Sequence, residues 1–201
     1  MVRGLLRWAV FALSAAGVLA AGGLPASPSR EPEWVQKAEA LARLAVSQGK
    51  TAGLSLFVRK RGRTWISGGY GEADLENHVA ASPDTVYSIA SITKQFTAAA
   101  IVQLVEAGKL GLDVQIEKYL PEYPPPGNRV TVRQLLNHTS GIRSMTSLGA
   151  RYWSQIAKDV TPQETILLFE NEPLDFEPGR RYAYNNSGYV LLGALIERVT
   201  G

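Results

Sequence analysis

Strand-type alternation occurs in one place in this 201-residue chain, and that restricts the folds open to it. Gly53-Leu54-Ser55-Leu56-Phe57-Val58 and Thr64-Trp65-Ile66-Ser67-Gly68-Gly69-Tyr70 flank the basic run Arg59-Lys60-Arg61-Gly62-Arg63, the pattern of a hairpin with a solvated tip. A lone hairpin is at best marginally stable in water. It must gain further strands or be covered by helices, and helices are what the rest of the chain offers. Residues 33–48 carry Trp34, Ala38, Leu41 and Ala45 at helical spacing and close on Gly49. After a loop to Asp84, an extended Thr85-Val86-Tyr87 leads to Ser88 as an expected N-cap, opening a long apolar helix that ends at Gly108. Thr131-Val132-Arg133-Gln134 is a capping-box start, and Thr161-Pro162-Gln163-Glu164 is another with proline at the first helical position, expected to run to about Glu170. Residues 187–200 form the last apolar-periodic stretch, while Pro124-Pro125-Pro126-Gly127 reads as rigid loop.

Composition narrows the chemistry. The chain is 45% hydrophobic and 19% charged, as expected of a folded globular protein, and its net charge is only +3. Residues 1–21 hold Arg3 and Arg7 and no acid, so the remainder keeps 19 of the 21 basic residues against 18 acidic ones. That balance gives no nucleic-acid footprint. With no cysteine, disulfides, thiolate nucleophiles and cysteine-bound metals are excluded, and with two histidines a Ser-His-Asp triad or histidine-rich metal centre is poorly supplied. Serine chemistry here would draw on another base, and no metal or cofactor is implied.

The N-terminus has the order of a secretory signal peptide. Arg3 and Arg7 precede an uncharged, mostly apolar run from Trp8 to Ala21, and Val18-Leu19-Ala20 or Leu24-Pro25-Ala26 offers small residues for cleavage. A periplasmic or secreted location follows as an expectation, with membrane attachment only through an uncleaved leader.

Ser91-Ile92-Thr93-Lys94 is the candidate catalytic pair. Residues three apart share a helix face, so the Lys94 amine can reach the Ser91 hydroxyl, and a serine becomes a useful nucleophile when a neighbouring base takes its proton. A place in the first helical turn would add free backbone N–H groups for a developing oxyanion. Spacing alone is weak, since a chance Ser-x-x-Lys is expected in roughly every second chain of this size. Ser47-Gln48-Gly49-Lys50 is such a case, with Gly49 as a helix C-cap.

Further motifs follow in order. Asn137-His138-Thr139-Ser140-Gly141 precedes Tyr184-Asn185-Asn186, itself flanked by Phe176-Glu177-Pro178-Gly179 and Gly188-Tyr189-Val190-Leu191-Leu192-Gly193. With these, residues 33–201 resemble the N-terminal part of the serine beta-lactamase-related family, the penicillin-recognising group of class C beta-lactamases, D-alanyl-D-alanine carboxypeptidases and related esterases. The resemblance implies an α/β fold of the beta-lactamase/transpeptidase type, an antiparallel sheet flanked by helices plus a helical region. It implies Ser91 as the acylated nucleophile, Lys94 as the amine that accepts or relays its proton, Tyr184 as the phenolate or hydrogen-bond partner, and Asn186 as a substrate-binding residue. His138, a lone histidine in a helix-end turn, reads instead as a structural hydrogen-bonder.

The family also places a Lys/His-x-Gly motif on a strand near its C-terminus, binding the substrate carboxylate and lending an oxyanion N–H. Nothing after Tyr184 supplies it, and Lys50-Thr51-Ala52-Gly53 has an extra residue and precedes the nucleophile. The expected organisation is a signal peptide over 1–21, a linker over 22–32 and a domain over 33–201 that lacks its C-terminal strands. The 201 residues alone would then be a weak catalyst or none. The implied function is serine hydrolysis, without cofactor or metal, of a small-molecule or peptidoglycan-type substrate: a lactam, a D-Ala-D-Ala peptide or a small ester. The alternative is a non-catalytic penicillin-binding-like module or an inactive remnant.

Overall fold

The computed structural model describes residues 31–201, so the expected signal peptide and nearly all of the linker lie outside the described residues. The described residues divide into two compact units, 31–86 and 87–201.

In the first unit, helix α1 (Glu33–Ser47) packs on a sheet formed by β1 (Gly53–Lys60) and β2 (Arg63–Asp74), and Gly49 turns the chain out of α1 at φ +66°. The hairpin tip is Arg61-Gly62, both at positive φ, the conformation whose twist suits a two-residue antiparallel turn. Val35, Ala42, Ile66 and Tyr70 are buried between helix and sheet, and the Tyr70 hydroxyl donates to Glu39 Oε1 at 3.0 Å. The sheet is larger than the hairpin expected from sequence. A third strand, β3 (Val79–Ala80), pairs antiparallel with β2 through Glu72 opposite Ala80. Gly69 lets the chain after β3 lie close, because a Cβ there would stand 2.0 Å from the Ala81 carbonyl oxygen.

The second unit is helical and organised on α6 (Ser187–Thr200). Leu191, Leu192 and Leu195 of α6 are fully buried, and α6 packs against α2 (Thr93–Glu106), α3 (Val132–Leu136) and α5 (Pro162–Leu167). Ile101, Leu110, Ile116, Leu120, Tyr123, Val130, Val132, Leu135, Ile142, Ile166 and Phe169 complete this core. Both capping boxes form: Thr131 Oγ1 accepts from Gln134 N–H while Gln134 Oε1 accepts from Thr131 N–H, and Thr161 and Glu164 do the same. Two boundaries differ from expectation. α5 stops at Leu167 and passes into turns through Glu170, and a short α4 (Ala150–Trp153) lies in a stretch with no sequence signal of its own.

Ser88 is not the cap of α2. Ala90 adopts φ +43°, a left-handed conformation that interrupts any helix started at Ser88, and Ala90–Ile92 forms a single 3-10 turn before α2 begins at Thr93. Such a conformation costs an alanine of order 1 kcal/mol or more and persists only where its surroundings hold it. Here the strained residue immediately precedes Ser91.

Candidate active site

Ser91 therefore sits in the 3-10 turn and Lys94 in the first turn of α2, a different frame from one continuous helix but with the pair still on one side. The Lys94 Nζ lies 3.4 Å from Ser91 Oγ, a long hydrogen bond. The shorter contact comes from elsewhere: the Tyr184 hydroxyl is 2.6 Å from Ser91 Oγ. Lys94 Nζ also donates to Asn186 Oδ1 at 2.7 Å and lies 4.8 Å from the centre of the Tyr184 ring. All four residues named from the sequence are thus brought together. Hydrogen bonding from Lys94 first, and from Ser91 second, holds the Tyr184 phenol below its ordinary range. Ser91 and Tyr184 are both exposed, with Tyr184 48% accessible.

Asn186 is the N-cap of α6, and its neighbours fix its side chain. Its N–H donates to Ser144 Oγ at 3.3 Å and its Nδ2 points to Thr146 Oγ1 at 3.4 Å, which leaves Oδ1 facing Lys94. Ser144 and Thr146 hydroxyls are 2.9 Å apart, and Ser187 Oγ accepts from Met145 N–H at 2.7 Å. Asn185 is buried, donates through Nδ2 to the Ile142 carbonyl and accepts from Gly188 N–H at 2.8 Å. Sequence reasoning passed over Ser144, Thr146 and Asn185. Only Asn185, the middle residue of Tyr-x-Asn, stood within a recognised motif. Among the described residues no cluster of His, Asp and Glu could hold a metal ion, and no helix is long and apolar enough to cross a membrane.

The Asn137–Gly141 turn is the other wall. Thr139 O accepts from Gly179 N–H at 2.8 Å, His138 O accepts from Ala183 N–H at 2.9 Å, and Gly141 O accepts from Asp175 N–H at 2.7 Å. His138 Nδ1 accepts from Asn185 N–H at 3.2 Å, the structural hydrogen-bonding expected of it. Gly141 has φ +75°, and a Cβ there would stand 2.0 Å from the Phe176 carbonyl oxygen. Gly141→Ala should therefore destabilise the protein by more than about 1 kcal/mol, read as a lowered denaturant midpoint with an unchanged slope.

Comparison with known proteins shows the family of the chain. Residues 34–201 match the family model Beta-lactamase. Protein flp of Staphylococcus aureus (strain COL) is 35% identical over 160 residues, a match covering 77% of this chain and 31% of flp. Among solved structures, the octameric penicillin-binding protein homologue from Pyrococcus abyssi is similar at TM-score 0.70 and 38% identity, covering 83% of this chain and 39% of that one. The D-amino acid amidase from Ochrobactrum anthropi SV3 is similar at TM-score 0.70 and 30% identity, covering 80% and 44%. The chain thus spans about a third of the length of the curated relatives it matches.

Proposed function

This chain belongs to the beta-lactamase family, and from that premise we propose that it hydrolyses a small amide or ester through an acyl-enzyme on Ser91. The observation that carries the reading is the 2.6 Å contact between Ser91 Oγ and the Tyr184 hydroxyl, with Lys94 within reach of both. A phenol held below its ordinary pKa by a neighbouring cation is more often ionised near neutral pH, and its oxygen can then take the serine proton. As that proton moves to Tyr184, Ser91 Oγ bonds to the substrate carbonyl carbon and the carbonyl oxygen takes the negative charge. The N–H of Ser91 lies ahead of the first donor used by the 3-10 turn, Ile92 N–H to Ile89 O, and is the natural donor to that oxyanion. Collapse breaks the bond to the leaving amine or alkoxide, which receives the proton from Tyr184. Water then attacks the ester on Ser91, giving its proton to the same Tyr184 and Lys94 pair, and the acid leaves with Ser91 restored.

Asn186, with Oδ1 held by Lys94 and Nδ2 at the edge of the group, is the proposed contact for the acyl chain of the substrate. The candidate substrates are a beta-lactam, a D-Ala-D-Ala peptide and a small ester; similarity to an amidase supports amide chemistry among them. The proposal includes export, on the basic and apolar order of residues 1–26.

A fluorescent penicillin and an activated ester, each followed by intact mass and product release, test the reading. The expected result is a covalent adduct that is released with turnover. A stable adduct without release would favour a binding module over a hydrolase, and no adduct with either probe would remove the acyl-enzyme reading.

A further inference from the structure

We propose that His138, as a neutral imidazole, is a positioning residue that docks residues 183–185 and sets the Tyr184 ring against Ser91. The inference rests on the acyl-enzyme reading above and deepens it, by naming what holds the proton acceptor in place.

His138 follows α3 at φ +61°, in the left-handed region where a side chain is tolerated chiefly when it gains contacts there. That turn aims two acceptors of one residue at one segment. The His138 carbonyl takes the Ala183 N–H at 2.9 Å, and Nδ1 takes the Asn185 N–H at 3.2 Å. Tyr184 lies between these two tethers, and its ring packs on the imidazole at 4.7 Å between centres and 42°. Tyr189 of α6 supports the imidazole at 5.2 Å and 34°, and Tyr182 meets it edge-on at 5.8 Å. The imidazole is thus the common contact of the three tyrosines.

An Nδ1 that accepts an N–H cannot carry a proton, so the neutral ring bears its proton on Nε2. The groups facing it are Lys94 from α2, Tyr182 and Tyr184 from the docked segment and Tyr189 from α6; none of these is a carboxylate. Burial first and the Lys94 charge second hold the His138 pKa below its ordinary value. Charging the ring would set N–H against N–H at Asn185 and put a second cation beside Lys94. One of the two tethers on Tyr184 would be lost. Because the folded-state pKa lies below the unfolded value of about 6.5, the hold is complete above that value and disappears as pH falls through the folded pKa.

The test uses the full chain. His78 and His138 are the only histidines, so imidazole NMR signals are assigned by comparison with His78→Asn. His138 is expected to titrate below about pH 6.5, with the Tyr184 ring signals moving at the same midpoint. The rate of adduct formation should fall with acid through that midpoint too. His138→Asn retains an acceptor near Nδ1 and a residue that tolerates positive φ, but removes the ring. It should acylate about 10- to 10²-fold more slowly at pH 7.5, the scale of a misplaced reacting group, with KM little changed and the inflection at the His138 midpoint gone, which leaves only the rise with pH set by Tyr184 itself. An inflection at the His138 midpoint that persists in His138→Asn, or Tyr184 signals indifferent to His138 titration, would overturn the proposal. If His138→Asn does not fold, the titration of the unsubstituted protein decides alone. If the unsubstituted protein forms no adduct at any pH, the acyl-enzyme reading fails, while the Tyr184 signals still test the positioning.

Discussion

In a chain extended by a segment that carries Lys/His-x-Gly, Ser91→Ala is expected to abolish the covalent adduct with a penicillin or an activated ester, with no mass increment at times when the unsubstituted protein is fully labelled. The expectation follows from where the other serine hydroxyls stand. Ser140, Ser144 and Ser187 are buried and committed, Ser140 Oγ to Ile142 N–H, Ser144 Oγ to Asn186 N–H and Ser187 Oγ to Met145 N–H. Ser47, the serine of the second Ser-x-x-Lys spacing, donates to the Leu44 carbonyl at the end of α1. Among the described residues, only Ser91 combines exposure with a phenol at 2.6 Å and an amine at 3.4 Å. Losing the nucleophile of a serine hydrolase costs on the order of 10⁶ in rate, so residual turnover should fall below detection. Stability should hardly move, because Ser91 is exposed and surface substitutions usually stay within about 0.5 kcal/mol. An adduct in Ser91→Ala of the same mass and rate would mean that another side chain is acylated.

The parts of this molecule that were legible in the sequence are those with local causes. The two capping boxes, the glycine that ends α1 and the hairpin around Arg61-Gly62 each depend on residues within four positions of one another, and each forms as read. The motif residues were legible because Ser-x-x-Lys and Tyr-x-Asn have fixed spacings, and the fold brings Ser91 and Tyr184, 93 positions apart, into contact. What was missed lacked such a local signal. β3 is two residues long, too short to show alternation, and is held by its partner strand. Ala90 gives no hint of positive φ, since alanine is an ordinary helix former, so nothing in the sequence marks the late start of α2 at Thr93. Thr146 reaches Asn186 across 40 positions, and the order of the intervening residues does not announce that contact. The left-handed turn at His138 belongs with these, because its carbonyl and Nδ1 take their N–H partners from Ala183 and Asn185, far away in the sequence.

In the same extended chain, Lys94→Ala and Tyr184→Phe should each slow acylation by about 10²-fold or more, the scale for loss of a general base, but their pH profiles should differ. Tyr184 has its pKa lowered chiefly by Lys94, so removing that cation returns the phenol toward its ordinary value of about 10. In Lys94→Ala the rise of the acylation rate with pH should consequently move to higher pH. In Tyr184→Phe the phenol is gone, and that rise should be lost. The same shift predicts little for stability at neutral pH. A depressed tyrosine pKa adds stability that is complete above the unfolded value and lost as pH falls through the folded one, and a half-exposed phenol gains little from it in any case. Both variants should then unfold at nearly the same denaturant concentration as the unsubstituted protein at pH 7. If instead Tyr184→Phe keeps the rise with pH while Lys94→Ala loses it, Lys94 takes the serine proton directly across 3.4 Å. Tyr184 would then hold the Ser91 hydroxyl in place without taking its proton.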